Sequence, residues 1–142
     1  MSFFKVRQKE FILESDSVEP IEYQRLNYLT KEQRDMYTDE GWRLLGNGKV
    51  GVIVVAGGQC SRLGHDGPKG TMDIGLPSRK SLFQLQAERL ISLSKRVHKT
   101  IPWYIMTSSD NHFDTINFYQ THNFFGYSED DCIFFQQGYV KP

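Results

Sequence analysis

The residues best suited to chemistry form a glycine-rich segment, AGGQCSRLGHDGPKG, that begins at Ala56 and ends at Gly70. Five glycines, one arginine and one lysine occupy these fifteen residues. Glycines allow backbone N–H groups to approach and surround a phosphate, while Arg62 offers a planar fork of donors and Lys69 a mobile point charge. Cations and amides placed in this way stabilise charge that develops on a transferring phosphoryl or nucleotidyl group. The segment therefore predicts phosphate chemistry at this loop.

Two familiar phosphate-binding motifs do not account for this segment. A P-loop is excluded because Pro68, and not lysine, follows Gly67, and no Gly-x-Gly-x-x-Gly fingerprint of a dinucleotide site follows the predicted first strand. The competing interpretation is that the glycines only form turns and that both cations are solvated. The density of glycines and cations directly after an apolar run favours the functional interpretation.

The elements that must position this loop alternate between strand and helix patterns. Val50 to Ala56 is a β-branched run typical of a parallel strand buried on both faces. Ser81 caps a helix that extends toward Val97, and Ile101 to Thr107 predicts a second strand. A helix over Asn111 to Asn123 and a strand over Cys132 to Gln136 complete the pattern. This order predicts an α/β fold, a Rossmann-like, doubly wound parallel sheet.

A polar leader precedes these elements. The three residues Gly46-Asn47-Gly48 punctuate the chain, so residues 1–48 are predicted as a helical leader and residues 49–142 as the nucleotide-binding part. Irregular apolar spacing between Glu19 and Tyr37 predicts two short helices, with Thr30 and Gln33 in a capping box. The leader is expected to pack against the nucleotide-binding part.

Three polar segments follow the three predicted strands. They are the loop from Gly57, the turn from Thr107 to Asp110, and the segment from Gln136 to Gly138. Ligands of such sheets bind beyond the carboxyl ends of the strands, so these segments are expected to share one site. Asp110 is expected to cap the helix that follows it.

Composition narrows the class of protein. The 142 residues, of 16.5 kDa, fit one domain, and seventeen basic residues balance seventeen acidic ones, which argues against nucleic acid as a partner. The longest apolar run is too short to cross a bilayer, and the N-terminus does not resemble a signal peptide, so a cytoplasmic location is expected. Cys60 and Cys132 are expected to be reduced thiols.

Metal ligation is not indicated by the sequence. His98, His112 and His122 lack metal-ligand spacing and are interpreted as surface residues. His65 and Asp66, in the glycine loop, are interpreted as solvated, with contact to a metal ion or phosphate as the alternative.

Four segments together carry a resemblance to a known family. VIVVAGGQCSRLGHDGPKGTMDIGLPSRKSLFQLQAERL, IPWYIMTS, YQTHNFFG and IFFQQG are similar, in this order, to segments of the eukaryotic UDP-N-acetylglucosamine pyrophosphorylases, the UDP-N-acetylhexosamine uridylyltransferases. The resemblance extends from roughly Glu40 to Gly138. It implies a Rossmann-like nucleotidyltransferase fold with smaller flanking domains. The activity it implies is attack of N-acetylglucosamine 1-phosphate on the α-phosphorus of UTP, with Mg²⁺, to give UDP-N-acetylglucosamine and pyrophosphate.

The resemblance also implies roles for single residues. Arg62 would hold the departing β- and γ-phosphates, and Lys69 would neutralise the α-phosphate. Gln137 would hydrogen-bond the uracil edge, with Gln136 as the fallback. The residues that would meet the uridine and phosphates, chiefly through backbone groups, are Val55, Ala56, Gly57 and Gly58.

Two features depart from the family pattern. Cys60 stands where the family usually has glycine, which would be costly if the position needs a positive φ. The chain stops at Pro142, before the family's metal-binding aspartate and sugar pocket, so it is interpreted as an N-terminal fragment that is inactive alone. Two alternatives stay open at this point, a broad-range UDP-sugar pyrophosphorylase and a non-catalytic nucleotide-binding fragment.

Overall fold

The computed structural model describes residues 20–58, 64 and 67–138. Its helices and strands are, in chain order, α1 (Lys31–Gly46), β1 (Val52–Val55), α2 (Leu82–Val97), β2 (Trp103–Thr107), α3 (His112–Thr121) and β3 (Cys132–Gln136). Short 3₁₀ turns cover Leu26–Tyr28, Lys69–Thr71, Asn123–Gly126 and Glu129–Asp131.

The three strands form one parallel sheet in the order β1-β2-β3. In its register Val52 lies opposite Trp103, which lies opposite Cys132. A helix connects each strand to the next, because a parallel pair needs a long crossover. The predicted α/β, Rossmann-like fold is confirmed.

One face of the sheet carries the hydrophobic core. Trp103 and Ile105 of β2 and Tyr119 of α3 are completely buried there. Phe83 of α2 lies with them and is almost completely buried. The Tyr119 ring centroid is 4.9 Å from that of Phe83 and 5.4 Å from that of Trp103. Both crossover helices therefore pack on this face, which we call the covered face.

The opposite face, called the open face, is apolar and exposed. Ile53 is 61% exposed and Val55 71%, and in the register they lie beside Tyr104 and Met106 of β2. The prediction that β1 is buried on both faces is wrong for the described residues, because α2 and α3 both cover the same face.

The described part of the leader, residues 20–48, contains one long helix in place of the two short ones predicted. A 3₁₀ turn over Leu26–Tyr28 precedes α1, which continues past Tyr37 to Gly46. The capping box is confirmed, since Gln33 N donates to Thr30 Oγ1 at 3.2 Å and Thr30 N donates to Gln33 Oε1 at 2.9 Å. The division of the chain at residue 48 stays a prediction.

The leader helix contacts the rest of the fold through α2. The guanidinium carbon of Arg96 lies 4.2 Å from the centre of the Trp42 ring, a cation–π contact between the two helices.

The predicted cap of α2 is also confirmed, because Gln84 N donates to Ser81 Oγ at 3.2 Å. Within the described ranges no helix is long and apolar enough to cross a membrane.

Candidate nucleotide-binding site

The three polar segments meet at one edge of the sheet, as predicted. Ala56–Gly58 follows β1, Thr107 ends β2, and Gln136–Gly138 lies at the end of β3. The last two are joined directly, because Gln137 N donates to Thr107 O at 2.8 Å. Since ligands of parallel sheets bind at this edge, the arrangement provides a single candidate site.

The segment after β1 leaves room for a ligand. Ala56 is buried, and its N–H donates to Met106 O at 2.7 Å. Gly58 is exposed, and a Cβ built on it would meet no atom of the described residues within 4 Å. Among the described residues, neither packing nor a positive φ therefore requires glycine at Gly58, and none of them occupies the space above its backbone.

A backbone hydrogen bond brings the predicted lysine to this segment. Lys69 N donates to Gly58 O at 3.2 Å, so the two ends of the glycine loop lie side by side. The Lys69 side chain is exposed and forms no ion pair with any other described residue. Its ammonium group is thus available to a phosphate at the edge where β1 ends.

Close packing sets the turn that carries this lysine. Lys69 begins the 3₁₀ turn Lys69–Thr71, directly after the buried Pro68. A Cβ built on Gly70 would lie 2.0 Å from Cζ of Phe83, so only glycine fits against this core ring. The hydrophobic core therefore determines where the lysine backbone lies.

Asn111 belongs to the site although the sequence analysis did not select it. It is completely buried, its Nδ2 donates to Ala56 O at 2.8 Å, and Ser108 N donates to its Oδ1 at 3.0 Å. The expectation that Asp110 caps α3 is wrong, because Asn111 occupies the N-cap position and Asp110 instead accepts from Ser109 Oγ at 3.0 Å. For Asn111, the only signal in the sequence was an asparagine at a turn between a strand and a helix.

His112 is the second residue at this edge that the sequence analysis did not assign to the site, having interpreted it as a surface residue. It is half-buried, whereas His98 and His122 are exposed as expected. Its Nδ1 lies 2.7 Å from Thr107 Oγ1, which also lies 3.1 Å from Phe135 O. Both bonds are satisfied when Thr107 donates to Phe135 and His112 Nδ1–H donates to Thr107.

The remaining predicted residues are distributed differently. Val55 lies on the open face, while Gln136 and Gln137 are both exposed at the end of β3, so the choice between the two glutamines stays a prediction. Four predicted or alternative loop residues lie outside the described residues: Cys60, Arg62, His65 and Asp66.

No cluster of metal-ligating side chains is found among the described residues. No three histidine, cysteine, aspartate or glutamate side chains come together in the ranges that the structure describes. The predicted thiol state of Cys132 agrees with the structure, in which Cys132 is buried and free.

Fold and site together define the class of protein. A parallel sheet, a glycine-rich loop after its first strand and an available lysine beside that loop describe an α/β protein of the nucleotide-binding type. The chain belongs to the family described as UTP–glucose-1-phosphate uridylyltransferase, whose model matches residues 1–141.

Individual relatives agree with this family. The chain is 44% identical to the UDP-N-acetylglucosamine pyrophosphorylase of Saccharomyces cerevisiae, over 92% of this chain and 28% of that protein. It is 43% identical to UDP-N-acetylglucosamine diphosphorylase 2 of Arabidopsis thaliana, over 77% of this chain and 24% of that protein. The chain thus spans less than a third of the length of these curated relatives.

A solved structure supports the fold. The uridine diphosphate N-acetylglucosamine pyrophosphorylase of Trypanosoma brucei superposes on this chain with a TM-score of 0.67 and 26% sequence identity. The match covers 77% of this chain and 24% of the other. The resemblance noted in the sequence is therefore confirmed at the level of family and fold.

Proposed function

We propose that this chain carries the UTP-binding part of a uridylyltransferase that joins UTP and N-acetylglucosamine 1-phosphate. The products of that reaction are UDP-N-acetylglucosamine and pyrophosphate. The observation that carries the proposal is the hydrogen bond from Lys69 N to Gly58 O, which brings an available cation to the backbone at the end of β1. The names of the S. cerevisiae and A. thaliana relatives supply the choice of nucleotide product.

The proposed reaction is a displacement at phosphorus. An oxygen of the sugar 1-phosphate forms a bond to the α-phosphorus of UTP, and the bond from that phosphorus to the bridging oxygen of the β-phosphate breaks. The electron pair leaves with pyrophosphate. Such a reaction needs chiefly positioning and countercharge, because negative charge builds on the oxygens around the reacting phosphorus.

We assign Lys69 to this countercharge. Its ammonium group neutralises the α-phosphate, while the backbone of Ala56–Gly58 meets the nucleotide. Arg62 is proposed to hold the departing β- and γ-phosphates, and Gln137 to hydrogen-bond the uracil edge. The convergence of all three strand ends at one edge supports the placement of Lys69 and Gln137.

The cofactor and cellular setting are part of the proposal. Mg²⁺ is expected to accompany the triphosphate, and none of the described residues is assigned to it. The cytoplasm is the proposed location, since both substrates are small phosphorylated metabolites.

A ligand series tests the role of Lys69. Lys69→Ala should weaken binding of both UTP and UMP by roughly 10- to 150-fold, because a charge-assisted hydrogen bond contributes about 1.5–3 kcal/mol. Binding of uridine, which lacks phosphate, should not change. Isothermal titration calorimetry of wild type and variant measures all three ligands.

Lys99→Ala provides the matched control for this experiment. Lys99 is exposed just after α2, and its loss should leave all three affinities unchanged. If Lys69→Ala weakens UTP but not UMP, the lysine serves the β- or γ-phosphate and its assignment to the α-phosphate is wrong. Equal affinities for wild type and Lys69→Ala would remove the lysine from the site.

A second sugar substrate has support of its own. The description of the matching family names glucose 1-phosphate, so a uridylyltransferase acting on glucose 1-phosphate is the alternative. Pyrophosphate release from UTP with each of the two sugar phosphates separates them. Release with N-acetylglucosamine 1-phosphate alone supports the first choice, and release with glucose 1-phosphate alone supports the second.

A further inference from the structure

The pairing of β1 with β2 ends in an unusual way at the candidate site. Along the two strands, N–H groups of β1 donate to β2, as Val52 N does to Pro102 O and Ala56 N to Met106 O. The regular parallel pattern next requires Ser108 N to donate to Ala56 O. That bond is replaced by the carboxamide of one side chain.

The replacing side chain is Asn111. Ser108 N donates to its Oδ1 at 3.0 Å, and its Nδ2 donates to Ala56 O at 2.8 Å. Both ends of the carboxamide therefore bond to backbone groups that would otherwise bond to each other. The carbonyl acceptor and the N–H donor also decide which end of the amide is oxygen and which is nitrogen.

This bond sets the orientation of a backbone amide in the site. In a trans peptide the C=O of one residue and the N–H of the next point in opposite directions, and no cis peptide occurs among the described residues. Because Ala56 O points at Asn111, the Gly57 N–H points away from it. That N–H has no acceptor within the part of the chain that the structure describes.

The same segment is held from its other end. Gly58 O accepts the hydrogen bond from Lys69 N, so the peptide group before Gly57 and the peptide group after Gly58 are each held by a hydrogen bond. We propose that Asn111 is a positioning residue for the nucleotide: its carboxamide replaces the last hydrogen bond between β1 and β2 and so presents the Gly57 N–H to the bound uridine nucleotide. This inference rests on the proposed function.

The test combines one variant with backbone spectroscopy. Asn111→Asp keeps the shape of the side chain but replaces the amide donor with an oxygen, which cannot donate to Ala56 O. We expect UMP and UTP to bind about tenfold more weakly to this variant. In ¹⁵N-labelled wild-type chain, the Gly57 amide signal should shift on titration with UMP, and Asn111→Asp should lose that shift.

A control separates the position from the change of charge. Asn47→Asp introduces the same carboxylate at the exposed C-terminal end of α1, and it should leave UMP affinity unchanged. Far-UV circular dichroism checks that each variant is folded. If Asn111→Asp does not fold, the wild-type titration decides alone.

The outcomes distinguish this inference from the proposed function. If wild type binds UMP while the Gly57 amide does not shift, or if folded Asn111→Asp binds as tightly as wild type, the positioning role is overturned and the proposed function stands. If wild type binds neither UMP nor UTP, the proposed function is overturned and this inference falls with it.

Discussion

On the covered face of the sheet Ile105 is completely buried, whereas on the open face Ile53, an identical side chain on the neighbouring strand, is 61% exposed. The two positions lie one register step apart, because Ile105 pairs with Val54. The strands are apolar at every position except the last residues of β2 and β3, Thr107 and Gln136, as parallel strands usually are. Residue type therefore does not reveal which face this part of the chain covers, and the packing of α2 and α3 does.

The covered face also determines the geometry of the candidate site. Phe83, which belongs to the core on that face, packs against Gly70 and so places the turn that carries Lys69. Asn111, at the start of α3, reaches Ala56 at the end of β1. The two crossover helices thus build the core and also hold the site together.

The largest contrast should come from truncating the two isoleucines. Ile105→Ala removes a fully buried side chain and should lower the free energy of unfolding by about 2–5 kcal/mol. Ile53→Ala removes a mostly exposed one and should cost less than about 1 kcal/mol. Urea unfolding of both variants, followed by circular dichroism, measures the difference. Equal losses would mean that the open face is covered in solution.

A smaller contrast should come from two glycines. Gly70→Ala forces a Cβ into the Phe83 ring, which should cost about 2 kcal/mol through displaced packing and also weaken UTP binding by moving Lys69. Gly46→Ala, in α1, meets no atom within 4 Å and should be neutral or slightly stabilising, because alanine favours a helix. Thermal unfolding and UTP titration test both variants.

An opposite result for these glycines would be informative. If Gly70→Ala retains wild-type stability and UTP affinity, Phe83 can move aside freely and the core does not determine the position of Lys69.

The smallest effect concerns Cys132, on the covered face of β3. Burial, reinforced by Asp131 and Glu129, raises the pKa of its thiol to about 12. The unfolded thiol ionises near pH 8.5. The stabilisation by the buried neutral thiol is therefore complete below about pH 8.5 and is lost progressively as pH rises from there toward 12.

Unfolding in urea at several pH values between 7 and 10.5 measures this loss. Cys132→Ala, which has no thiol at this position, should lose less stability over the same range. Parallel curves for wild type and variant would show that the thiol is hydrated, and that the covered face does not extend to β3.

Prediction from the sequence succeeded where a short pattern carries the information. Ser81 and Thr30 were identified as caps because the residue that each one bonds lies only three positions further along the chain, within a single short motif. The glycines before Lys69 mark a loop and led to the prediction that Lys69 meets a phosphate, and that role stays a prediction. Asn111 was missed because its partner Ala56 is 55 residues away, and a single asparagine gives no sign of so distant a contact.

The sequence by itself determined the order of strands and helices, the helix caps and the glycine-rich loop with its lysine. Those features follow from residue periodicity and from bonds between near neighbours. Only the tertiary structure decided that both crossovers cover one face, that Phe83 sets the turn at Gly70, and that Asn111 ends the pairing of β1 with β2. These contacts join residues that lie far apart in the chain, so they exist only once the crossovers have packed onto the sheet.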